Sequence, residues 1–289
     1  MLTLAGFAFL LIMVFGGYML AGGKISIILA ALPFELMMIG GAGIGIVLMA
    51  NSMHGVKHLL SGLGKIIKGA RFHKSDYIDL LSLLYFFVRL ASTKGAMALE
   101  PHIERPTESA AFQKFPKIAA DHHAVVLICD YLRMVGMHAD DPHQIEDVFA
   151  RELRKLVNEE LHPAHAMQSL ADAFPALGIV AAVLGVIKTM GSLNEPPQVL
   201  GKMIAGALVG TFLGVLLAYG LMGPIASRLK GIVEEEMKYY EVIRAVLVAH
   251  LHGNAPQVAV ETGRKMAPSE HMPSFQELEQ ALQELQIPT

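Results

Sequence analysis

Met203-Ile-Ala-Gly-Ala-Leu-Val-Gly-Thr-Phe-Leu-Gly-Val-Leu-Leu-Ala-Tyr-Gly-Leu-Met-Gly-Pro-Ile-Ala-Ser227 runs for 25 residues without a charged side chain. A helix crossing the ~30 Å hydrocarbon layer needs about 20 mostly apolar residues, so this stretch is long enough to span a membrane. Three further uncharged runs, Met1 to Gly23, Leu36 to Met53 and Ala173 to Ile187, bring the candidate spans to four. The run from Ala173 has only 15 residues and spans if Lys188 snorkels its ammonium to the interface; a buried core helix is the alternative. Of the 289 residues, 53% are hydrophobic and 17% charged, below the roughly 25% charged of a soluble domain. The net charge of -3 supplies no global basic field, which argues against nucleic acid as a partner. A single cysteine, Cys129, removes disulfide frameworks and cysteine metal clusters.

The first run lacks a basic n-region and outlasts the apolar core of a signal peptide, so it is expected to stay in the membrane. Lys57, Lys65, Lys68, Arg71 and Lys74 follow the second span, and Arg228 and Lys230 the fourth, which reads those flanks as cytoplasmic. The expectation is an all-α integral membrane protein with both termini inside. Its spans are residues 1–22, 34–53, 173–190 and 203–225, with a helical cytoplasmic insert over 54–172 and a cytoplasmic tail over 226–289. Two short connectors, around Gly22 to Leu32 and Gly191 to Gly201, face the opposite side.

Within the insert, Tyr77 to Leu90 reads as an apolar helix begun by Ser75-Asp76. Lys117 to Met137 reads as a second, and Ile145, Val148, Phe149, Leu153 and Val157 recur at helical spacing in a third. Lys57 to Lys74 forms an interfacial helix suited to anionic lipid. In the tail, Gly231 to His250 extends the fourth span, and Ser274 with Glu277 makes a capping box before Leu278, Leu282 and Leu285.

Helices in lipid associate through close backbone contact, so small residues mark their packing faces. Gly206, Gly210, Gly214 and Ala218 fall every four residues on the fourth span; Gly178, Ala181 and Gly185 stripe the third, and Gly41 and Gly45 mark the second. Packing within one bundle and association between chains both fit these stripes. Thr211, beside the glycine stripe, either bonds back to its own helix or lines an ion path. Pro175 and Pro224 stand at the cytoplasmic ends of spans three and four as structural starts or hinges. No span interior contains Asp, Glu, Arg or His, although ion movement through lipid normally needs an ionisable group at depth; a partner is expected to supply the carboxylate if ions move. His54 and His58, His122-His123 and His162 with His165 are near pairs without a zinc-ligand pattern. No nucleotide or nucleophile motif supports enzymatic activity, and no cofactor or metal is expected.

Phe174-Pro-Ala-Leu-Gly-Ile-Val-Ala-Ala-Val-Leu-Gly-Val-Ile187 and Val209-Gly-Thr-Phe-Leu-Gly-Val-Leu-Leu-Ala-Tyr-Gly220 resemble the MotA family of bacterial flagellar motor stator subunits. Gly95-x-x-x-Leu99-Glu100-x-x-Ile103-Glu104, Asp130-Tyr-Leu-Arg133, Val260-Glu-x-Gly-Arg-Lys265 and Pro273-Ser-Phe275 resemble it too. The resemblance covers nearly the whole chain in the same two-plus-two layout. It implies a pentamer around a MotB dimer in the bacterial inner membrane, where an intramembrane Asp of MotB is protonated and released, and torque passes to the rotor protein FliG.

By position, the resemblance implies that Thr211 and Ala182 line the ion path and that Pro175 and Pro224 are conformational prolines. Ala182 points to protons, because sodium-driven relatives carry threonine there. Glu100 becomes the acidic rotor contact. The family's basic residue eight positions earlier is Ser92 in this chain, so Arg89 or Lys94 takes that role. An ExbB or TolQ type energiser, usually with three spans, is the runner-up, and a non-conducting membrane scaffold is the alternative from another class.

Overall fold

The computed structural model describes residues 2–136, 142–285 and 287. Met1, which opens the first span as read from sequence, Met137, which closes the second insert helix, and Pro288 and Thr289, which close the tail, lie outside the described residues. Every regular element among the described residues is helical, and four helices are long and apolar enough to cross a membrane. Two compact units share the chain, one over residues 1–69 and 160–232, the other over 70–159 and 233–289.

The first unit holds the membrane helices. Helix α1 (Leu2–Leu20) is apolar all round, and a tight turn follows it in which Gly22 takes φ +84. Helix α2 (Ile25–Glu35), a five-residue π-helical turn (Leu36–Gly40) and α3 (Gly41–Ala50) then form one continuous helix of 26 residues. The sequence reading began this span at residue 34; the helix that holds it starts at Ile25. Pro33 does not break the helix: its missing N–H forfeits only one bond to the preceding turn, and the helix continues through it to Glu35.

Helix α4 (Met53–Lys68) is N-capped by the Ser52 hydroxyl and stops at Gly69, whose φ is +81. Its apolar face carries Leu59 against Met167 and Ala226, while Lys65 reaches Glu160 at 2.8 Å. Gly62 lies so close to Pro163 that an added Cβ would sit 3.0 Å from the ring.

In the second unit α5 (Lys74–Lys94) is a buried rod, started by His73 as N-cap with Asp76 closing a capping box, slightly ahead of the Ser75-Asp76 start expected. A 3-10 turn (Ala96–Leu99) and the short helices α6 (Glu100–Glu104), α7 (Ala110–Lys114) and α8 (Pro116–Ala119) follow. The single helix expected from Lys117 divides: α9 (His122–Gly136) begins afresh. Asp121 is responsible, since its Oδ1 accepts the N–H groups of His123 and Ala124 at the new N-terminus.

Helix α10 (Pro142–Met190) runs for 49 residues, with Pro163 and Pro175 inside it, so the third insert helix and the third span are one element. Helix α11 (Pro197–Val215), a π segment (Leu216–Met222) and α12 (Gly223–Leu251) continue likewise into the tail. Helix α13 (Pro256–Met266) packs on α5 and α12, where Val246 Cγ2 leaves no room for a Cβ on Gly263. The terminal α14 (Phe275–Gln283) starts with the reciprocal Ser274 and Glu277 capping box.

Candidate functional site

Helices α10 and α11 cross with their backbones in contact. A Cβ on Gly178 would lie 2.8 Å from the Gly210 carbonyl oxygen, and one on Gly214 would lie 2.6 Å from the Phe174 carbonyl oxygen. Gly185 meets Ala207 in the same way, at 2.6 Å to its Cβ, and Ala181 is buried against Gly210. These small residues form a seam inside one chain. Gly206 comes only to van der Waals distance of Ala31, while Gly41 and Gly45 face open space. Ile39, Phe174, Leu213 and Ala218 close the seam toward the π segment.

Thr211 sits in that crossing, its Cα 3.3 Å from where a Cβ on Gly178 would stand. Its hydroxyl makes no hydrogen bond among the described residues, whereas Thr189 bonds back to the Gly185 carbonyl at 2.9 Å. Ala182 is half-buried, one turn beyond Gly178 on α10. Pro175 lies next to Phe174 inside α10, and Pro224 directly follows the seven-residue π segment. Wide π turns inside α-helices occur often at functional sites.

Glu35, which the sequence reading left at the edge of the second span, lies inside the continuous helix. Ten residues beyond Ile25, about 15 Å along the axis, it stands near the middle of the continuous helix. It is only 5% exposed, and its Oε2 lies 2.6 Å from the position of a Cβ on Gly210. Beside it is a cavity of about 650 Å³ between α2, α10 and α11, which Lys188 and Lys202 also line. Reading Pro33 as a boundary left Glu35 at a span edge; a search for helices tolerant of one proline would have placed it inside.

The expected rotor-contact residues separate into two grooves. Glu100 opens α6 and lines one with Met97, His102 and Glu108. Arg89 and Lys94 line another of about 370 Å³, with Leu282 and Leu285 from the end of the chain. None of the three makes an ion pair among the described residues. Arg133, quoted above only as part of a motif, anchors the Glu100 segment: its guanidinium donates to Glu104 Oε1 at 2.9 Å, Asp130 Oδ1 at 2.7 Å and the Ile103 carbonyl at 3.1 Å. Arg264 likewise bonds Glu261 and the Pro273 carbonyl, tying α13 to the segment before α14. His143, Glu146 and His252, which no sequence pattern brought together, converge within 4.8 Å, but Glu146 is already held by Arg244 at 3.3 Å.

The family model described as "Motility protein A N-terminal" matches residues 4–95, and that of the MotA/TolQ/ExbB proton channel family matches residues 116–242. Motility protein A of Escherichia coli is 38% identical over 288 residues, 100% of this chain and 97% of that protein. The chain belongs to the motility protein A family. Chemotaxis protein LafT of Vibrio parahaemolyticus is 34% identical over 95% of this chain and 96% of its own length. Two solved structures share the fold: MotAB of C. jejuni (TM-score 0.71, 18% identity, 93% of this chain and 96% of that one) and the flagellar MotAB stator complex from Bacillus subtilis (TM-score 0.69, 22% identity, 94% and 98%). A motility protein A family member with these helices is a multi-pass membrane protein.

Proposed function

We propose that this chain is the membrane subunit of a flagellar motor stator, which converts proton flow into torque. The observation that carries the reading is the glycine seam between α10 and α11, with the unbonded Thr211 hydroxyl inside it. Alignment with motility proteins over the full length supports the same role. Five copies surround a dimer of a MotB-type partner in the bacterial inner membrane, both termini in the cytoplasm. The partner's single helix brings an Asp against Thr211 and Ala182. Pro175 and Pro224, beside the points where α10 and the π segment depart from regular bonding, let the helices alternate. Glu100 contacts the rotor protein FliG, with Arg89 or Lys94 as the basic contribution from the neighbouring groove.

The N-terminal family match takes in both α1 and the continuous helix after it, which favours a stator over an ExbB or TolQ type energiser. The test is swimming and proton uptake in cells whose copy carries Thr211→Val or Pro175→Ala. Both variants should assemble with the partner and lose most of their motility. Unimpaired swimming with both would sink the reading, and a wild-type complex without proton flux would leave the scaffold alternative.

A further inference from the structure

Glu35 is 95% withdrawn from contact with the surroundings, and within the membrane unit its Oε2 is a buried oxygen that finds no hydrogen-bond partner among the described residues. A carboxylate withdrawn from its surroundings and without a hydrogen-bond donor is disfavoured in its charged form, so such a group either binds a proton or meets a cation. The packing around it leaves room for proton delivery. The adjoining cavity holds Ser26, the second residue of α2; Lys188, two residues before α10 ends; and Lys202, five residues after α11 starts. All three belong to the end of the unit that carries the short connectors, whereas Glu35 is nine residues deeper along the helix.

The cavity therefore leads from the connector end to a buried acid at mid-helix. Lys188 on α10 and Lys202 on α11 are the charged groups facing it from the elements packed on α2, and α1 contributes none. At its inner end, the Glu35 carboxyl touches the Gly210 turn of α11, one residue from Thr211. The two lysines do not neutralise it by contact, since neither forms an ion pair with it.

We propose that Glu35 is a proton-binding site of this chain itself, loaded through that cavity from the connector side and emptied toward the Gly210-Thr211 turn. In the loading step hydronium in the cavity gives its proton to the carboxylate, leaving water and a neutral carboxylic acid; release reverses it. The site lies upstream of any acid that a partner brings, and the relay role deepens the proton-conducting reading and rests on it.

The experiment uses the full chain with its single-span partner in vesicles, read in two ways. Infrared difference spectra across a pH step should show a carboxylic acid C=O band that disappears in Glu35→Gln, which keeps the size and polarity of the side chain. Proton flux, followed with an entrapped pH dye, should fall about tenfold in Glu35→Gln and recover in part in Glu35→Asp. If the band is unchanged in Glu35→Gln, or if flux in that variant equals the wild type, the proposal is overturned. A wild-type complex that conducts no protons overturns the stator reading instead, while the infrared band still decides whether Glu35 binds a proton. Should Glu35→Gln fail to assemble, the C=O band should shift in frequency in Glu35→Asp, and a band that stays in place overturns the proposal.

Discussion

Gly178 and Gly214 each meet the opposing backbone closer than a Cβ permits, so size rather than polarity governs these positions. Gly214→Val is expected to push α10 and α11 apart and lower stability by about 1–3 kcal/mol, seen as an earlier thermal transition of the detergent-solubilised chain. Gly45→Ala, facing open space, serves as its control and should change little. A different residue-scale effect belongs to Glu277. Its hydrogen bonds with Lys74 and the Ser274 cap hold its carboxyl down to about 2 from an ordinary value of 4.5. Because the folded value is the lower, the contribution is complete above the ordinary value and fades as pH drops through about 2. Hydrogen exchange of the α14 amides should accelerate over that acid range, and Glu277→Gln should flatten the dependence. Burial, in contrast, pushes the Cys129 thiol up to about 11 and leaves it unreactive at neutral pH.

At the scale of elements, Asp121 decides how the insert is cut. It caps α9, accepts from the Tyr240 hydroxyl at 3.0 Å and pairs with Arg71 at 3.0 Å while itself only 4% exposed. Asp121→Ala should cost about 2–4 kcal/mol in a denaturant titration, with Asp121→Asn retaining part of it, because a cap and a buried hydroxyl's partner vanish together. The same site shows what periodicity conceals. Apolar spacing from Lys117 to Leu132 fits one helix, and only the competition between a side-chain acceptor and the backbone reveals the break. Charge-free runs made the four spans readable, and the Ser274-Glu277 box announced α14. The π turns at Leu36–Gly40 and Leu216–Met222 left no such mark, since one extra residue per turn alters hydrogen bonding without changing composition. Glu35 was missed for a related reason: a proline beside it resembled an end, and its burial depends on Gly210, 175 residues further along the chain.

For the molecule as a whole, the connectors provide the readout of topology. Asn194 is exposed between α10 and α11, and Gln276 is exposed on α14, while the native thiol is buried. Asn194→Cys should react with a membrane-impermeant maleimide on intact spheroplasts, and Gln276→Cys only after permeabilisation. The reverse pattern would invert the orientation and with it the direction assigned to the Glu35 cavity. Much of the exposed apolar surface lies on the membrane helices, including Phe9, Ile12, Met37, Ile44, Ile187 and Leu208. Such a surface requires lipid or protein neighbours.

The tight turn between α1 and the helix that starts at Ile25 also bears on how the chain enters the membrane. A segment with an acid near its middle inserts poorly by itself, a charged residue at mid-span adding about 3 kcal/mol to the transfer. Only residues 21–24 separate it from α1, which has no charge at all. The translocon should therefore receive the two as a helical hairpin, with the uncharged first arm carrying the acidic second one, and lengthening that turn should strand Glu35 outside the bilayer during synthesis.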